Sequence, residues 1–281
     1  MKTARQCALL LVMATFLSAC VNSTGTEPPL RLYVMDCGSL RFDDVTSFGL
    51  TNDETPVREM FVPCYLVDHP DGQLLWDAGL DPAIVGQGDV ELQPGALMRY
   101  DRSVIDQLAD IGYSPADIDL IALSHLHFDH AGAANYFPVA RLLIQEPEYR
   151  AGFLNYADNP IFNYDYYRDL ADNPRLILEG DYDVFGDGRV RIMSAPGHTP
   201  GHQVLFLDLE ETGPLVLSGD LYHFRFSRTH RRVPVFNTSA EQTLESMDRV
   251  EAFLAETGAT FWMEHDSELA KTLKLAPSFY D

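Results

Sequence analysis

Beyond residue 30 the chain is written mainly in short apolar runs, each closed by Gly, Pro, Asn or Asp. That pattern predicts strands rather than long helices. Nine stretches carry it: 31–35, 60–68, 73–79, 119–124, 141–145, 189–195, 203–209, 214–220 and 259–266. Helical spacing appears between them. Apolar residues at 104, 105 and 108 predict a helix over 103–110, and a second helix opens at Ala131. A third is expected over 240–256, behind Thr238 and Glu241 as a capping-box pair. The strands first run as hairpins and then alternate with helices, and no repeat of solenoid length interrupts them. This order predicts one α/β domain over 30–281, a sandwich of two mixed β-sheets flanked by helices.

The polar residues of interest stand where strands stop. The run 119–124 releases His125, His127, Asp129 and His130; 214–220 ends on Asp220; 259–266 carries His265; and 189–195 leads through a Pro-Gly turn to His198. In α/β sheets the carboxyl ends of strands are where sequence-distant segments converge on a ligand. Side chains alternate along extended backbone, so His125 and His127 point the same way with Leu126 turned to the core, while Asp129 and His130 point elsewhere. A catalytic zinc takes about three protein ligands plus water. Each pair therefore needs distant partners, which His198, Asp220 and His265 supply, and a carboxylate such as Asp220 can bridge two ions. His202 reads as structural, and His69 and His230 as surface residues.

Composition narrows the partner. The 281 residues are 46% hydrophobic and 11% aromatic, enough for a full core. The formal net charge of −22, from 42 acidic and 20 basic residues, repels a polyanion. No nucleic-acid partner is expected, and a neutral or cationic small molecule fits better.

The N-terminus is a separate piece. Lys2 and Arg5 precede an apolar stretch over 8–17 that is too short to span a bilayer, followed by Leu17, Ser18, Ala19 and Cys20. That quartet resembles the bacterial lipobox. The resemblance implies a signal peptide over 1–19, lipidation of Cys20 and, with Val21 rather than aspartate next, a lipoprotein on the periplasmic face of the outer membrane. Plain secretion to the periplasm is the other reading. Residues 20–29 read as a flexible tether. Cys37 and Cys64 then lie in an oxidising compartment, as a disulfide or as two buried thiols.

His125-x-His127-x-Asp129-His130 with His198, Asp220 and His265 resembles the metallo-β-lactamase superfamily, whose αββα fold holds two metals. SHLHFDHAG (124–132), PGHTPGHQ (196–203), SGD (218–220), EHD (264–266) and the hairpin 63–80 are similar to N-acyl homoserine lactone lactonases. The resemblance implies that His125, His127 and His198 hold one metal, that Asp129, His130 and His265 hold the other, and that Asp220 bridges. The expected cofactor is two Zn2+, with Fe, Co or Mn as other occupants. The expected reaction is opening of a lactone ring by a hydroxide bridging the metals, with Asp129 passing a proton to the leaving oxygen. His223 stands where the lactonases have a tyrosine that polarises the carbonyl, and Tyr222 is one position earlier, so either is a candidate oxyanion donor.

Two further segments bear on the substrate. Residues 148–167, with Phe153, Tyr156 and Phe162 among seven aromatics, read as a wall for an acyl chain or as a loop packed on the sheet. Residues 39–59 read as another rim or as a homodimer contact. Two other functions fit the same residues: a dinuclear esterase, lactonase or phosphotriesterase of the same superfamily, and a lipid-anchored zinc-binding protein without catalysis.

Overall fold

The computed structural model describes residues 29–159 and 161–281. The signal peptide, Cys20 and all but the last residue of the tether lie outside that range. The first sheet contains β1 (Arg31–Phe42), β2 (Glu59–His69), β3 (Gly72–Trp76), β4 (Val90–Gln93), β5 (Ala96–Arg99), β6 (Leu120–Ala122), β7 (Arg141–Gln145) and β8 (Arg175–Leu178). The second contains β9 (Tyr182–Asp183), β10 (Val190–Ser194), β11 (Gln203–Leu209), β12 (Gly213–Leu217) and β13 (Thr260–Trp262). A terminal strand, β14 (Phe279–Tyr280), returns to pair with β1.

The first sheet runs β4-β5-β1-β2-β3-β6-β7-β8 and the second β13-β12-β11-β10-β9. Both are mixed. The chain meanders antiparallel through β1, β2 and β3, then crosses over in parallel to β6, β7 and β8. In the second sheet only the β12–β13 pair is parallel, because α5 (Ala240–Thr257) makes the crossover. All nine predicted strands are present. The β4–β5 hairpin and strands β8, β9 and β14 were not predicted, since short strands with partly exposed residues carry no continuous apolar signal.

Three apolar layers hold the sandwich together. Between the sheets, Leu32, Val34, Val67, Leu74 and Trp76 meet Val190, Ile192, Leu205, Leu215 and Leu217. Outside the first sheet, α1 (Val104–Asp110) contributes Val104 and Leu108 to a second layer. Outside the second sheet, Met247, Val250 and Leu254 of α5 cover Val204, Phe206 and Val216. Strand residues that alternate between two apolar faces need helices on both outer sides, which gives the αββα order.

Two local expectations are corrected. Ser239, not Thr238, caps α5, its side chain accepting from Gln242 N at 3.2 Å. His69 is buried, stacked on Phe185 with its Nε2 2.9 Å from Asp187 Oδ2, because strand β2 ends beneath the 183–189 loop. His230 is exposed as expected. Cys37 and Cys64 form a disulfide between β1 and β2, with a Cα–Cα separation of 5.7 Å. Among the described residues no helix is long and apolar enough to cross a membrane.

Candidate metal centre

Strands β6, β10, β12 and β13 end on the same side of the sandwich, and their following loops converge there. After β6 the chain runs through a bend at Ser124 to His127, whose backbone is extended, and then turns into the short helix α2 (Phe128–Ala131). His125 and His127 thus share one side, and Leu126, 1% exposed, fills the core between them. Asp129 and His130 sit in the first turn of α2, rotated away from that pair. Asp220 follows Gly219, whose backbone at φ 47 lies so close to His202 that a Cβ would stand 2.6 Å from the imidazole Nε2. His202 holds that turn, accepting from Asp220 N at 2.9 Å while its Nδ1 faces Ala195 O. Its reading as structural fits this placement.

Ring nitrogens meet without spacers. His125 Nε2 is 2.8 Å from His127 Nδ1, and His198 Nε2 is 3.1 and 3.0 Å from those two atoms. Asp220 Oδ2 lies 3.0 Å from His198 Nε2 and 3.6 Å from His125 Nε2. On the other side, His130 Nε2 and His265 Nε2 are 3.3 Å apart, and Asp220 Oδ1 is 3.1 and 2.9 Å from them. Asp129 Oδ2 stands 3.8 and 3.6 Å from the same two nitrogens. Asp220 therefore turns one oxygen to each trio.

The donor set fits metal ions better than hydrogen bonds. Ligand atoms at about 2.0–2.1 Å from a tetrahedral zinc lie about 3.3 Å from one another, close to these spacings. Asp220 Oδ1 makes no hydrogen bond despite its short separations from two imidazoles, as expected of co-ligands rather than of donor and acceptor. The distal nitrogens are fixed from behind. His130 Nδ1 faces Asp77 Oδ2 at 2.7 Å, His198 Nδ1 faces Asn237 Oδ1 at 2.9 Å, and His265 Nδ1 faces Phe61 O at 2.7 Å. Such backing orients ligating imidazoles and sets their tautomer.

Charge follows burial. Desolvation, helped by neighbouring imidazoles, holds His125 and His127 well below the usual histidine range, so both are neutral. Burial opposes the charge on Asp220, but His223, His265, His130 and His198 outweigh it and keep the carboxyl ionised. Burial also opposes protonation of His265, yet the Asp220 and Asp129 carboxylates win and push it up to about 9. The cluster is anionic at its bridging position and neutral at His125 and His127, which suits a dication.

Residues 57–257 match the metallo-beta-lactamase superfamily. The chain belongs to that superfamily. By class it is a metal-dependent hydrolase. An N-acyl homoserine lactonase, AttM, of Azorhizobium caulinodans is 32% identical over 265 residues, covering 90% of this chain and 99% of that protein. The N-acyl homoserine lactonase AiiA of Bacillus thuringiensis subsp. kurstaki is 28% identical over 262 residues, covering 89% and 98%. A solved N-acyl homoserine lactone hydrolase, with the product N-hexanoyl-L-homoserine at its catalytic metal centre, superposes with a TM-score of 0.76. It is 27% identical and covers 89% of this chain and 99% of its own.

The centre opens to one side. A cavity of about 440 Å³ has His127, Asp129, Asp220, His223 and His265 at its polar end. Its apolar wall is Leu40, Phe42, Phe48, Met60, Ile161 and Phe236. The rim reading of 39–59 holds for Leu40, Phe42, Ser47 and Phe48. His223 is in place, with Nε2 3.0 Å from Asp220 Oδ2. Tyr222 is not. Its hydroxyl donates to Glu251 Oε1 at 3.2 Å and its ring packs under α5, because consecutive residues of this loop face opposite sides of the second sheet.

The acyl-wall expectation for 148–167 is corrected too. Phe153 is buried among Tyr149, Tyr164 and Tyr167, and Tyr156 stacks on Tyr164 at 4.1 Å. Phe162 is buried behind His127, ring to ring at 6.0 Å, outside the cavity lining. Among the described residues of this stretch, only Ile161 lines the cavity. Sequence reasoning also missed Asp77, Ser124, Asn237 and Glu264. Asp77 ends the run 73–77 with φ 57, a conformation rarely adopted by a residue with a side chain and visible only in the structure. Its Oδ1 accepts from Ser124 N at 2.6 Å, anchoring the start of the ligand loop.

Proposed function

We propose that this chain opens the lactone ring of N-acyl homoserine lactones, using two divalent metal ions, zinc foremost. The observation that carries the reading is Asp220, one oxygen to each ligand trio, at the floor of an apolar-walled cavity. The names of the similar lactonases support the substrate class. His125, His127 and His198 would hold one ion, Asp129, His130 and His265 the other, with Asp220 between. When bound, the ions supply an activated water and a Lewis acid for the carbonyl.

The protein's own part follows from placement. The wall of Phe42, Phe48 and Phe236 receives the acyl chain and excludes bulk water from the reacting end. Asp129, at the cavity floor, carries the proton released by water to the departing ring oxygen. His223, in the cavity wall beside Asp220, donates to the developing oxyanion. An open cavity at the centre distinguishes this from metal storage, for which enclosed ligands suffice.

A periplasmic location at the outer membrane belongs to the same proposal. The leader pattern ending at Cys20 and the Cys37–Cys64 disulfide, a bond of oxidising compartments, support it. The test is a screen of zinc-loaded protein against acyl homoserine lactones of graded chain length, with product analysis and D220A as control. Ring-opened acyl homoserine from wild type alone is expected. Intact lactone at every chain length would sink the reading.

A further inference from the structure

Glu148 lies in the short helix α3 (Glu146–Tyr149), on an element that carries none of the seven metal-site residues, and is 1% exposed. A buried carboxylate persists only when its oxygens are satisfied. Oε1 accepts from Leu126 N at 3.0 Å, and Oε2 accepts from Gly201 N at 2.8 Å. Leu126 is the residue between His125 and His127. Gly201 is three residues beyond His198. One side chain therefore holds the backbones of both loops that bring the first trio of imidazoles together.

The surroundings leave little freedom. A Cβ at Gly201 would stand 2.5 Å from Glu148 N and 2.6 Å from Glu148 Cβ, so that loop lies directly on the helix. The side chain of Leu126 presses on the same segment, where a Cβ at Gly152 would stand 2.2 Å from Leu126 Cδ1. Gln145 continues the tie, donating to Gln203 Oε1 at 3.1 Å while Gln203 donates to Leu123 O at 2.9 Å. The second trio is held otherwise, His130 by Asp77 and His265 by Phe61 O.

We propose that Glu148 is a positioning residue for the metal centre, fixing His125 and His127 against His198 by accepting from both ligand loops at once. The proposal rests on the metal reading and not on the lactone reading. Glutamine at 148 keeps the shape but sets an NH2 group against one of the two backbone N–H groups, so one loop loses its acceptor.

The experiment is chelator competition on the zinc-loaded full chain, wild type against E148Q, with E148D as the conservative variant. Loss of an outer partner costs about 10- to 100-fold in metal affinity. One of the two zinc equivalents of E148Q should be released about 10- to 100-fold more readily, the other as in wild type, with E148D between the two proteins. Wild-type affinity for both equivalents in E148Q overturns the proposal. Equal weakening of both also overturns it, because general loosening of the fold has that effect. If E148Q does not fold, E148D is judged by the same criterion. Protein that leaves every lactone intact yet releases zinc in this way separates failure of the substrate reading from failure of this one.

Discussion

Phe48 and Phe153 are both buried, both surrounded by aromatic rings, and both belong to segments that the sequence offers equally as walls for a substrate. Phe48 stands 5.1 Å from the His223 ring and 5.4 Å from Phe236, with the cavity against it. Phe153 stands 5.1 Å from both Tyr149 and Tyr167 and does not line the cavity at the centre. The first ring serves binding and packing together, the second packing alone. Aromatic density measures how much apolar surface a segment can bury, not which side it buries it against. The 148–167 segment still matters to the centre, through the carboxylate of Glu148 rather than through its rings.

The largest effect that tests this contrast is on stability. Phe153→Ala removes a fully packed ring and should cost about 3–5 kcal/mol of unfolding free energy, with kcat/KM per folded molecule close to wild type. Denaturant unfolding with active-site titration checks it. A fall in kcat/KM larger than the loss of folded protein would place Phe153 in substrate binding and break the contrast.

Phe48→Ala should behave differently. Losing an apolar contact worth about 1.5–3 kcal/mol raises KM for a long-chain acyl lactone about 10- to 100-fold, and leaves a short-chain lactone nearly unaffected. Steady-state kinetics with the two substrates provide the measurement. Equal change for both would remove Phe48 from the acyl wall.

The smallest effect is local and acid-dependent. In the 39–59 segment, Asp44 accepts from Thr46 N and Glu54 from Thr51 N, and chiefly these bonds hold both carboxyls below their ordinary 3.8 and 4.5. Depressed folded values mean that the stabilisation is complete above the unfolded values and is lost as pH falls through the folded ones. Amides of 44–54 should therefore gain exchange rate, relative to those of 148–157, as the buffer is taken from pH 6 to below 3.8. Parallel acceleration of the two segments would show that the first is not held by its carboxylates.

How much was legible in the sequence varies with the range of the interaction. The nine strands are readable because each buries at least one face, and burial writes an apolar pattern into consecutive residues. His125, His127, Asp129 and His130 are readable because four ligating side chains within six positions have no use in a core. Glu148 and Asn237 leave no such mark. A buried carboxylate that accepts from two backbone amides has the same letter as an exposed one, and its partners lie 22 and 53 residues away. Tyr222 and His223 show the same limit at short range. Adjacent letters both qualify as hydrogen-bond donors, and only the turn after Asp220 decides that the histidine meets the cavity and the tyrosine meets Glu251.

What the sequence determined by itself is the ligand inventory and the layer order, since both follow from residue type and spacing along a chain of known geometry. What the tertiary structure decided is direction: which oxygen of Asp220 faces which trio, which aromatic ring faces the cavity, and which buried carboxylate holds the ligand loops. Direction depends on contacts between elements far apart in the chain, and close packing, not local propensity, fixes those contacts.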